Sequence, residues 1–437
     1  MAESFLIAGA TLPDGSRADL LIEDGTLVEA GTSVSSVDAT HVDADGLIAL
    51  PGLVDLHTHL REPGYEQSET VLTGTRAAAA GGYTAVFAMA NTSPVSDTAG
   101  VVEQVLSLGE AAGYATVRPI GAVTVGLGGE RLAELGAMAA SRAQVRVFSD
   151  DGFCVSDPLL MRRALEYVKA FDGVIAQHAQ EPRLTRGAQM NEGALSGELG
   201  LAGWPAVAEE SIIARDVLLA EHVGSRLHVC HVSTAGSVEV IRWAKSRGIR
   251  VTAEVTPHHL LLTEDLVRGY DARYKVNPPL RTREDAEALR AAVVDGTIDI
   301  VATDHAPHPA WAKDTEWDAA ANGMVGLESA LSVVHAALVA DGRIDWADVA
   351  RIMSAKPAEI GSLAGYADGL VVGAPANITL YDPEVTRSFS TEDLAGKGVN
   401  SPYLGLELPG RVLHTFHQGR RTVADGAVLD AAEVARA

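Results

Sequence analysis

The sequence predicts an α/β protein: a (β/α)8 barrel of the TIM type with a small β-sandwich domain formed from both termini. Between residues 51 and 365, apolar segments alternate with amphipathic ones, which is the pattern of parallel strands joined by crossover helices. Eight strand candidates occur there, the number that such a barrel contains. Polar side chains follow most of these candidates. A barrel gathers all carboxyl ends at one mouth, whereas a doubly wound open sheet, the alternative, spreads them along an edge.

The strand candidates are short apolar runs, and the segments between them have helical periodicity. The candidates end near His59, Asn91, Val123, Asp151, His178, His231, Thr256 and Asp304. Residues 68–80, 158–170 and 238–247 are examples of the predicted helices, since apolar residues recur there at helical spacing. The apolar run over residues 47–54, which leads into the first strand end, predicts one buried strand.

The two ends of the chain have a different pattern of short β segments. Residues 5–8, 18–22 and 27–30 are separated by Asp-Gly turn pairs, and residues 376–381, 412–416 and 421–423 repeat this arrangement. We therefore expect one small discontinuous β domain from residues 1–50 and 366–437, with the barrel between them at residues 51–365.

Composition excludes several classes of partner. The formal charge of −24 argues against nucleic acid or an anionic membrane. No apolar run approaches the ~20 residues of a membrane span. The N-terminal residues lack a basic region typical of a signal peptide, and the two cysteines, Cys154 and Cys230, lie far apart. These features predict a cytoplasmic protein.

Residues 57–61 are the most informative stretch of the chain. Side chains two apart in a strand point to the same side, so His57 and His59 face one way. Two imidazoles on one rigid strand make half of a metal site. Arg61 continues on that face and offers a planar fork of donors that suits a carboxylate.

Other metal-ligating residue types end further strand candidates. They are Asp150, Asp151, His178, His231 and Asp304. A lone histidine at such a position is usually a hydrogen-bonded polar cap. Several imidazoles and carboxylates buried together are costly unless something pairs them. A divalent cation would do so, and the sequence therefore predicts a metal site at the barrel mouth.

These motifs resemble the amidohydrolase superfamily and, within it, the class I monofunctional dihydroorotases of bacteria. The matching stretches are residues 51–64, 91–94, 149–152, 276–281, 302–308 and 400–403. The resemblance spans nearly the whole chain. Its most specific blocks are His-Leu-Arg-Glu-Pro-Gly at residues 59–64 and Thr-Asp-His-Ala-Pro-His at residues 303–308.

The resemblance implies a zinc enzyme with one or two ions per subunit. The implied ligands are His57, His59 and Asp304 for one zinc, His178 and His231 for a second, and Asp151 as the bridge between them. It further implies that a metal-activated hydroxide attacks a cyclic amide carbonyl. Asp304 would take the proton of the water and return it to the leaving nitrogen.

The resemblance also implies the substrate. The reaction would be the reversible hydrolysis of (S)-dihydroorotate to N-carbamoyl-L-aspartate, a step of pyrimidine (UMP) biosynthesis. Arg61, Asn91 and His308 would bind the carboxylate. The full set of implied substrate contacts is His59, Arg61, Asn91, Asn277, His308, Asn322 and Gly323.

The bridging ligand differs from that of many relatives, which use a carboxylated lysine from the fourth strand. The chain has no lysine before Lys169, so that group is absent from the fourth strand. An aspartate is the resembling dihydroorotase variant. Asp151 is the preferred bridge because it matches the family position, and Asp150 is the alternative.

Several further residues receive structural interpretations. His228, Cys230, His258, His259 and His305 are expected to pack or to support the ligands. Residues 309–322 are long enough to form a lid over the site. Two residues depart from the family pattern: Asn322 replaces a usually apolar residue, although a backbone contact would survive the change, and Asn377 in the small β domain replaces an aspartate.

Two alternative functions stay open on the sequence alone. The first alternative is another cyclic amidohydrolase, such as a hydantoinase or an allantoinase. Against it stands Arg61, which a neutral substrate ring would leave unpaired. The second alternative is an inactive scaffold for aspartate carbamoyltransferase, against which stands the full set of metal-ligating residues. The resemblance suggests a homodimer, and association of an active enzyme with aspartate carbamoyltransferase stays open.

Overall fold

The structure is a computed structural model that describes residues 3–434. Nineteen strands occur in this range. They are β1 (Phe5–Thr11), β2 (Arg17–Glu23), β3 (Thr26–Gly31), β4 (Thr40–Asp43), β5 (Ile48–Pro51), β6 (Leu53–Thr58), β7 (Tyr83–Ala88), β8 (Thr116–Pro119), β9 (Val147–Phe148), β10 (Val174–Gln177), β11 (Met190–Asn191), β12 (Gly203–Trp204), β13 (Arg226–Val229), β14 (Val251–Val255), β15 (Ile300–Val301), β16 (Ile378–Ser388), β17 (Glu407–His417), β18 (Arg420–Ala424) and β19 (Ala427–Val428).

Helices occupy most of the connections between the central strands. The α-helices are α1 (Val71–Ala80), α2 (Ala99–Ala112), α3 (Leu135–Ala140), α4 (Pro158–Val168), α5 (Ala194–Leu199), α6 (Val207–Val223), α7 (Ala235–Ser246), α8 (Pro257–Leu261), α9 (Arg283–Val294), α10 (Ala310–Lys313), α11 (Ala330–Val334), α12 (Trp346–Ala350), α13 (Lys356–Ile360) and α14 (Ala431–Val434). Single 3₁₀ turns lie at Val125–Leu127, Lys169–Phe171, Glu264–Gly269, Ala272–Tyr274 and Thr391–Asp393, and π-helical turns at His335–Val339 and Arg351–Ala355.

Strands from both ends of the chain share one nine-stranded sheet. Its order is β19-β18-β17-β16-β5-β1-β2-β3, and β4 pairs with β1. The ends meet where β16 runs antiparallel to β5, with Ile378 opposite Pro51. Phe5 and Phe416, from opposite ends of the chain, pack edge to face in the core of this sheet. The sheet is therefore completed only by residues far apart in sequence.

The eight central strands run parallel in two hydrogen-bonded groups. One group is β6-β7-β8 and the other is β9-β10-β13-β14-β15. Single parallel bridges link the groups at both edges, Gly121 with Phe148 and Thr58 with His305. The α/β class predicted from the sequence is thus confirmed. Each strand ends one to four residues before the residue predicted for its end.

The central strands are buried on both faces, which explains their continuous apolar sequences. Every residue of β6 and β7 is buried. The helices cover the outside with one apolar face each. In α4, Met161, Ala164, Leu165 and Val168 are buried, which is the spacing of a single helical stripe. Asp157 begins this helix by accepting a hydrogen bond from the Leu160 amide.

The apolar run at residues 47–54 forms two strands, where the sequence predicted one. β5 belongs to the nine-stranded sheet and β6 to the central strands, with Gly52 between them. The Gly52 amide donates to Asn377 O at 2.8 Å. Both strands are buried on both faces, so the hydrophobic pattern contains no signal of the break.

Residues 309–322 contain only the four-residue helix α10, and the remainder is irregular. Within residues 3–434, no helix is long and apolar enough to span a bilayer.

Candidate metal centre

The six residues predicted as metal ligands converge at the carboxyl ends of the central strands. All are buried, with exposed fractions between 0% and 6%. Their side chains form two overlapping groups whose potential ligand atoms lie within 4.8 Å of one another: His57, His59, Asp151 and Asp304 in one, and Asp151, His178 and His231 in the other. Asp151 is common to both.

His57 and His59 face the same side at the end of β6. The Nε2 atom of His59 lies 3.0 Å from Asp304 Oδ1 and 3.3 Å from Asp151 Oδ2. The Nε2 atom of His57 lies 3.4 Å from a carboxylate oxygen of each of the same aspartates. Strand β6 thus presents two imidazole nitrogens to two carboxylates, as alternation along a strand requires.

Asp151 occupies the centre of the cluster, and its neighbour Asp150 does not. Asp151 Oδ1 lies 3.3 Å from His231 Nε2 and 3.4 Å from His178 Nδ1. Asp150 instead accepts the backbone amides of Val123 and Thr124 at 2.8 and 3.0 Å, together with the Thr124 hydroxyl. Its oxygens therefore already accept hydrogen bonds from the loop that follows β8. The geometry favours Asp151 as the shared ligand.

The second histidine pair comes from β10 and β13. His178 Nδ1 and His231 Nε2 are 2.9 Å apart. The other ring nitrogen of His178 donates to Gln180 Oε1 at 2.7 Å. This bond leaves Nδ1 as the unprotonated nitrogen in the neutral ring, directed at Asp151 and His231.

Two of the cluster residues have backbone conformations that side chains rarely adopt. Asp304 has a φ of 49° and His231 a φ of 32°. Non-glycine residues in this region cost about 1–3 kcal/mol and are concentrated at functional sites. His231 lies two residues after β13 and Asp304 three residues after β15, so the unusual backbone occurs where the chain leaves each strand.

The sequence did not predict the role of Glu254, a buried carboxylate that hydrogen-bonds to two residues of the cluster. Glu254, in β14, accepts from His57 Nδ1 at 2.5 Å, from His228 Nε2 at 2.9 Å and from the backbone amide of His231 at 3.2 Å. His228 was expected only to pack, but it bonds to Glu254 and to Thr252 Oγ1. A buried Glu in the apolar β14 sequence was the available signal, because such a residue needs partners.

Asp55 plays a similar supporting part for the last strand. It accepts the backbone amides of Thr303 and His57 at 3.0 and 3.1 Å. Burial, only partly offset by these hydrogen bonds, raises the pKa of Asp55 to about 6. Asp55 therefore connects β6 to the residue before Asp304.

The cluster attracts positive charge. Burial alone would raise the pKa of Asp151, but the charge of His57 and hydrogen bonding with the other imidazoles lower it well below its usual range. Burial would lower the pKa of His57, but the carboxylates of Asp151, Glu254 and Asp304 raise it well above its usual range. Two buried carboxylates among four imidazoles thus favour a cation at their centre.

The donor set fits a zinc ion. His57 Nδ1 is engaged by Glu254, and His57 Nε2 is buried without a hydrogen-bond partner. His59 Nδ1 donates to Asn91 Oδ1 at 2.9 Å, which leaves its Nε2 lone pair facing the aspartates. Imidazole nitrogens oriented by hydrogen bonds at their other nitrogen, together with carboxylates, are the ligands that zinc takes in enzymes.

Arg61 and His308 line a cavity of about 510 Å³ beside the cluster, together with Tyr65 and Trp311. Arg61 has a φ of 64°, and its Nε donates to Pro307 O at 3.2 Å. In the described part of the chain, Arg61 forms no salt bridge. Burial lowers the pKa of Arg61, yet a guanidinium keeps its charge in proteins. Within the described residues, the carboxylates of Asp304 and Asp151 act on this cation only from beyond ion-pair distance.

His308 is neutral and already forms a hydrogen bond within the protein. Burial and then the positive charge of Arg61 lower the pKa of His308 to about 3. Its Nε2 donates to Asn322 O at 2.7 Å. To donate to a substrate carboxylate through Nε2, His308 would have to leave this carbonyl.

The remaining predicted substrate contacts lie on two neighbouring loops. Asn277 Nδ2 donates to Gln180 Oε1 at 2.9 Å and lies 3.4 Å from His178 Nε2. The Gly323 amide donates to Lys275 O at 3.0 Å. Gly323 has a φ of 135°, and a Cβ there would lie 2.9 Å from His308 Nε2.

The other histidines support the surrounding loops. His259 bonds to Thr256 Oγ1 and to the carbonyl of Pro278, and His305 Nδ1 accepts the backbone amide of Gly326 at 3.2 Å. His258 is buried and its Nε2 has no partner. Cys230 is a buried free thiol behind His57. Asn377, directly before β16, accepts the backbone amide of Gln418.

Several solved structures have the same fold. An L-hydantoinase from Arthrobacter aurescens superposes with a TM-score of 0.86 at 25% identity, covering 98% of each chain. A dihydropyrimidinase from Brevibacillus agri has the same fold, with a TM-score of 0.83 at 23% identity over 99% of this chain and 97% of that one. The fold and the buried histidine–aspartate cluster together define the class of α/β amidohydrolases.

Curated relatives narrow this class. A dihydroorotase from Leifsonia xyli is 79% identical over 99% of both chains, and one from Streptomyces coelicolor is 68% identical over 96% of this chain and 98% of its own. A dihydroorotase from Mycobacterium tuberculosis is 53% identical over 95% of this chain. A family model described as dihydro-orotase-like matches residues 46–237. The chain belongs to the dihydroorotase family.

Proposed function

We propose that the protein is a zinc-dependent dihydroorotase that catalyses the reversible hydrolysis of (S)-dihydroorotate to N-carbamoyl-L-aspartate in pyrimidine biosynthesis. The proposal is supported by family membership at 79% identity and by the cluster of imidazoles and carboxylates. The fit of these residues to zinc supports the choice of metal.

The observation that carries the choice of substrate is the unpaired Arg61 in the cavity beside the metal cluster. A partly desolvated cation that forms no direct ion pair within the described residues favours an anionic ligand. Dihydroorotate carries a ring carboxylate, whereas hydantoin and dihydrouracil rings carry none. A guanidinium binds a carboxylate through two parallel hydrogen bonds, so Arg61 would both select and orient the ring.

Asn91 and His308 would bind the carboxylate together with Arg61. Asn91 is held by its Oδ1 contact with His59 Nδ1 at 2.9 Å, so its amide nitrogen is the atom that would donate to the carboxylate. Asn277 and the backbone at Asn322 and Gly323 would contact the ring. These contacts orient the amide carbonyl toward the histidine cluster.

Asp304 is the proposed general base and acid. It would accept a proton from the attacking water as the new bond to the carbonyl carbon forms, then deliver it to the ring nitrogen as the carbon–nitrogen bond breaks. His59 Nε2 lies 3.0 Å from Asp304 Oδ1, so the imidazole and the carboxylate are placed to contact the same ion.

Zinc would be held by His57, His59, Asp151, His178, His231 and Asp304. When bound, it supplies a Lewis acid that polarises the carbonyl and lowers the pKa of water. Asp151, shared by both ligand groups, would bridge two ions, and one or two ions per subunit are consistent with the donor set.

The architecture proposed with this function is a closed eight-stranded barrel over residues 51–365. The two bridges that link the strand groups support closure. Residues 1–50 and 366–437 would form a separate β-sandwich around the Phe5 and Phe416 core. We also propose a cytoplasmic homodimer, and association with aspartate carbamoyltransferase is a further hypothesis that co-purification would test.

The decisive test is turnover of dihydroorotate by the zinc-reconstituted protein, with hydantoin, dihydrouracil and allantoin assayed in parallel. We expect turnover of dihydroorotate alone. Asp304→Asn should reduce kcat by about 10²–10⁴-fold, the usual contribution of a general base, and Arg61→Met should raise KM. Absence of dihydroorotate turnover despite bound zinc would contradict the proposal.

A further inference from the structure

Two buried lysines lie outside the metal cluster and have no part in the chemistry proposed above. Lys275 is 4% exposed and Lys313 is 8% exposed. Lysine is among the residues that are almost never fully buried unless paired. Neither forms a salt bridge within the described residues, so their partners must be sought elsewhere.

The partners of both ammonium groups are backbone carbonyls, and the contacts are reciprocal. Lys313, in residues 309–322, donates to Ala272 O at 2.8 Å, Lys275 O at 3.0 Å and Ala321 O at 2.8 Å. Lys275 in turn donates to two carbonyls of residues 309–322, Trp317 O at 2.5 Å and Asp318 O at 3.1 Å. Each lysine thus binds carbonyls of the segment that carries the other.

These contacts join the segments that carry the proposed ring and carboxylate contacts. Asn277 follows Lys275 by two residues, and Lys275 O also accepts the Gly323 amide at 3.0 Å. At the two ends of residues 309–322, His308 Nε2 donates to Asn322 O at 2.7 Å. Asn400 completes the junction by donating to Gly323 O at 3.2 Å.

Apolar packing holds only part of this segment, since Trp317 is 6% exposed and packs with Met190, Leu195 and Val267. Residues 309–322 contain one short helix, and Trp311 at the cavity is 73% exposed. An irregular segment of this kind has many backbone carbonyls without a helical or sheet partner. An ammonium has three donors and satisfies up to three such carbonyls at once, which Lys313 does.

We propose that Lys275 and Lys313 are positioning residues that hold residues 309–322 against residues 271–277, so that Asn277, His308 and Gly323 are ordered before substrate arrives. This inference rests on the proposed function for its kinetic consequence but not for its structural one. Pre-ordering a binding segment lowers the entropy cost of binding. Loss of this order should therefore appear mainly as a higher KM.

The first test uses hydrogen exchange on the wild-type, zinc-loaded protein without substrate. We expect slow exchange at the amides of Asp314, Ala321 and Gly323, which the ordered segment pairs with backbone carbonyls. Exchange of residues 309–323 at the rate of an unstructured peptide would overturn the proposal. This result does not depend on which substrate the enzyme uses.

The second test compares Lys313→Met and Lys275→Met with Lys356→Met, which removes a lysine paired with Glu359 outside this junction. We expect each of the first two to raise KM for dihydroorotate at least tenfold, to change kcat less than threefold and to leave zinc content unchanged. Exchange of residues 309–323 should rise in both, and the double variant should add little because the two lysines act as one unit.

The outcomes separate the two proposals. If dihydroorotate is not turned over by any variant or by wild type, the proposed function fails, while the exchange data still test the lysine pair. If kcat falls and KM and exchange do not change, the lysines are not positioning residues. If Lys313→Met does not fold, the Lys275→Met variant and the wild-type exchange pattern decide whether the lysines are positioning residues.

Discussion

A single carboxylate, Glu254, connects both halves of the candidate metal centre. It holds the His57 ring through Nδ1 and the His231 backbone through its amide. The first bond holds the Nδ1 proton, so that His57 Nε2 is the ring nitrogen that would bind the metal in place of a proton. The second bond stabilises the backbone of His231, whose φ of 32° is otherwise unfavourable.

Glu254→Gln should therefore weaken zinc binding without removing a ligand. Loss of a partner that orients a metal ligand usually costs 10–100-fold in affinity or activity, and we expect a loss in that range. Competition with a chromogenic chelator would measure it. Glu209→Gln is the matched control, since Glu209 is 2% exposed and bonds to Ser233. Equal affinities for the Glu254 and Glu209 variants would refute this role.

The sequence identified the ligand residues but not the residues that orient them. His57, His59 and Asp304 belong to specific motifs at strand ends, and their positions follow from strand periodicity. Glu254 lies in none of the matching stretches, and Asp55 lies in the stretch at residues 51–64 without a signal of its supporting role. Their roles depend on which strands are neighbours, which local sequence does not encode.

At the level of elements, the strands and helices were largely predictable because the hydrophobic periodicity is strong. The division of residues 47–54 into β5 and β6 was not. A strand buried by one sheet and a strand buried by another have the same apolar pattern. What separates them is the close approach at Gly52, where a Cβ would lie 2.2 Å from Thr84 Oγ1.

Gly52→Ala should destabilise the protein, because Thr84 is fully buried and cannot move aside. Overpacking of this kind costs about 1–3 kcal/mol. Urea denaturation would show a lower midpoint with an unchanged slope. Gly100→Ala is the control: nothing lies within 4 Å of its Cβ position in α2, so we expect no loss there. A wild-type midpoint for Gly52→Ala would rule out the close approach.

For the whole molecule, removal of the metal should lower stability. A ligand that binds only the folded state stabilises it by about 4 kcal/mol at 1,000 times its Kd. Chelator-treated protein should therefore melt several degrees lower, and added zinc should restore the melting temperature. Calorimetry of wild type and Asp151→Asn would test this. The variant should respond less to zinc, and an identical response would argue against Asp151 as a ligand.

The overall topology was predictable in outline and not in its pairing. Short β segments at both ends indicated that the termini associate, and β16 does pair with β5. The sequence does not specify that β5 is the strand that joins the two ends, because pairing partners in a sheet are chosen by tertiary packing. The division into two domains stays a prediction.

The separation of the site residues along the chain has a consequence for biosynthesis. His59 and Asp304 are in contact, yet 245 positions separate them. During translation the histidine pair emerges long before its aspartate partner, and strands β16–β19 follow later still. At least 304 of the 437 residues must therefore be synthesised before the complete ligand set exists. Metal acquisition is thus a late event of maturation, and a prematurely terminated chain ending before residue 304 has no complete site to load.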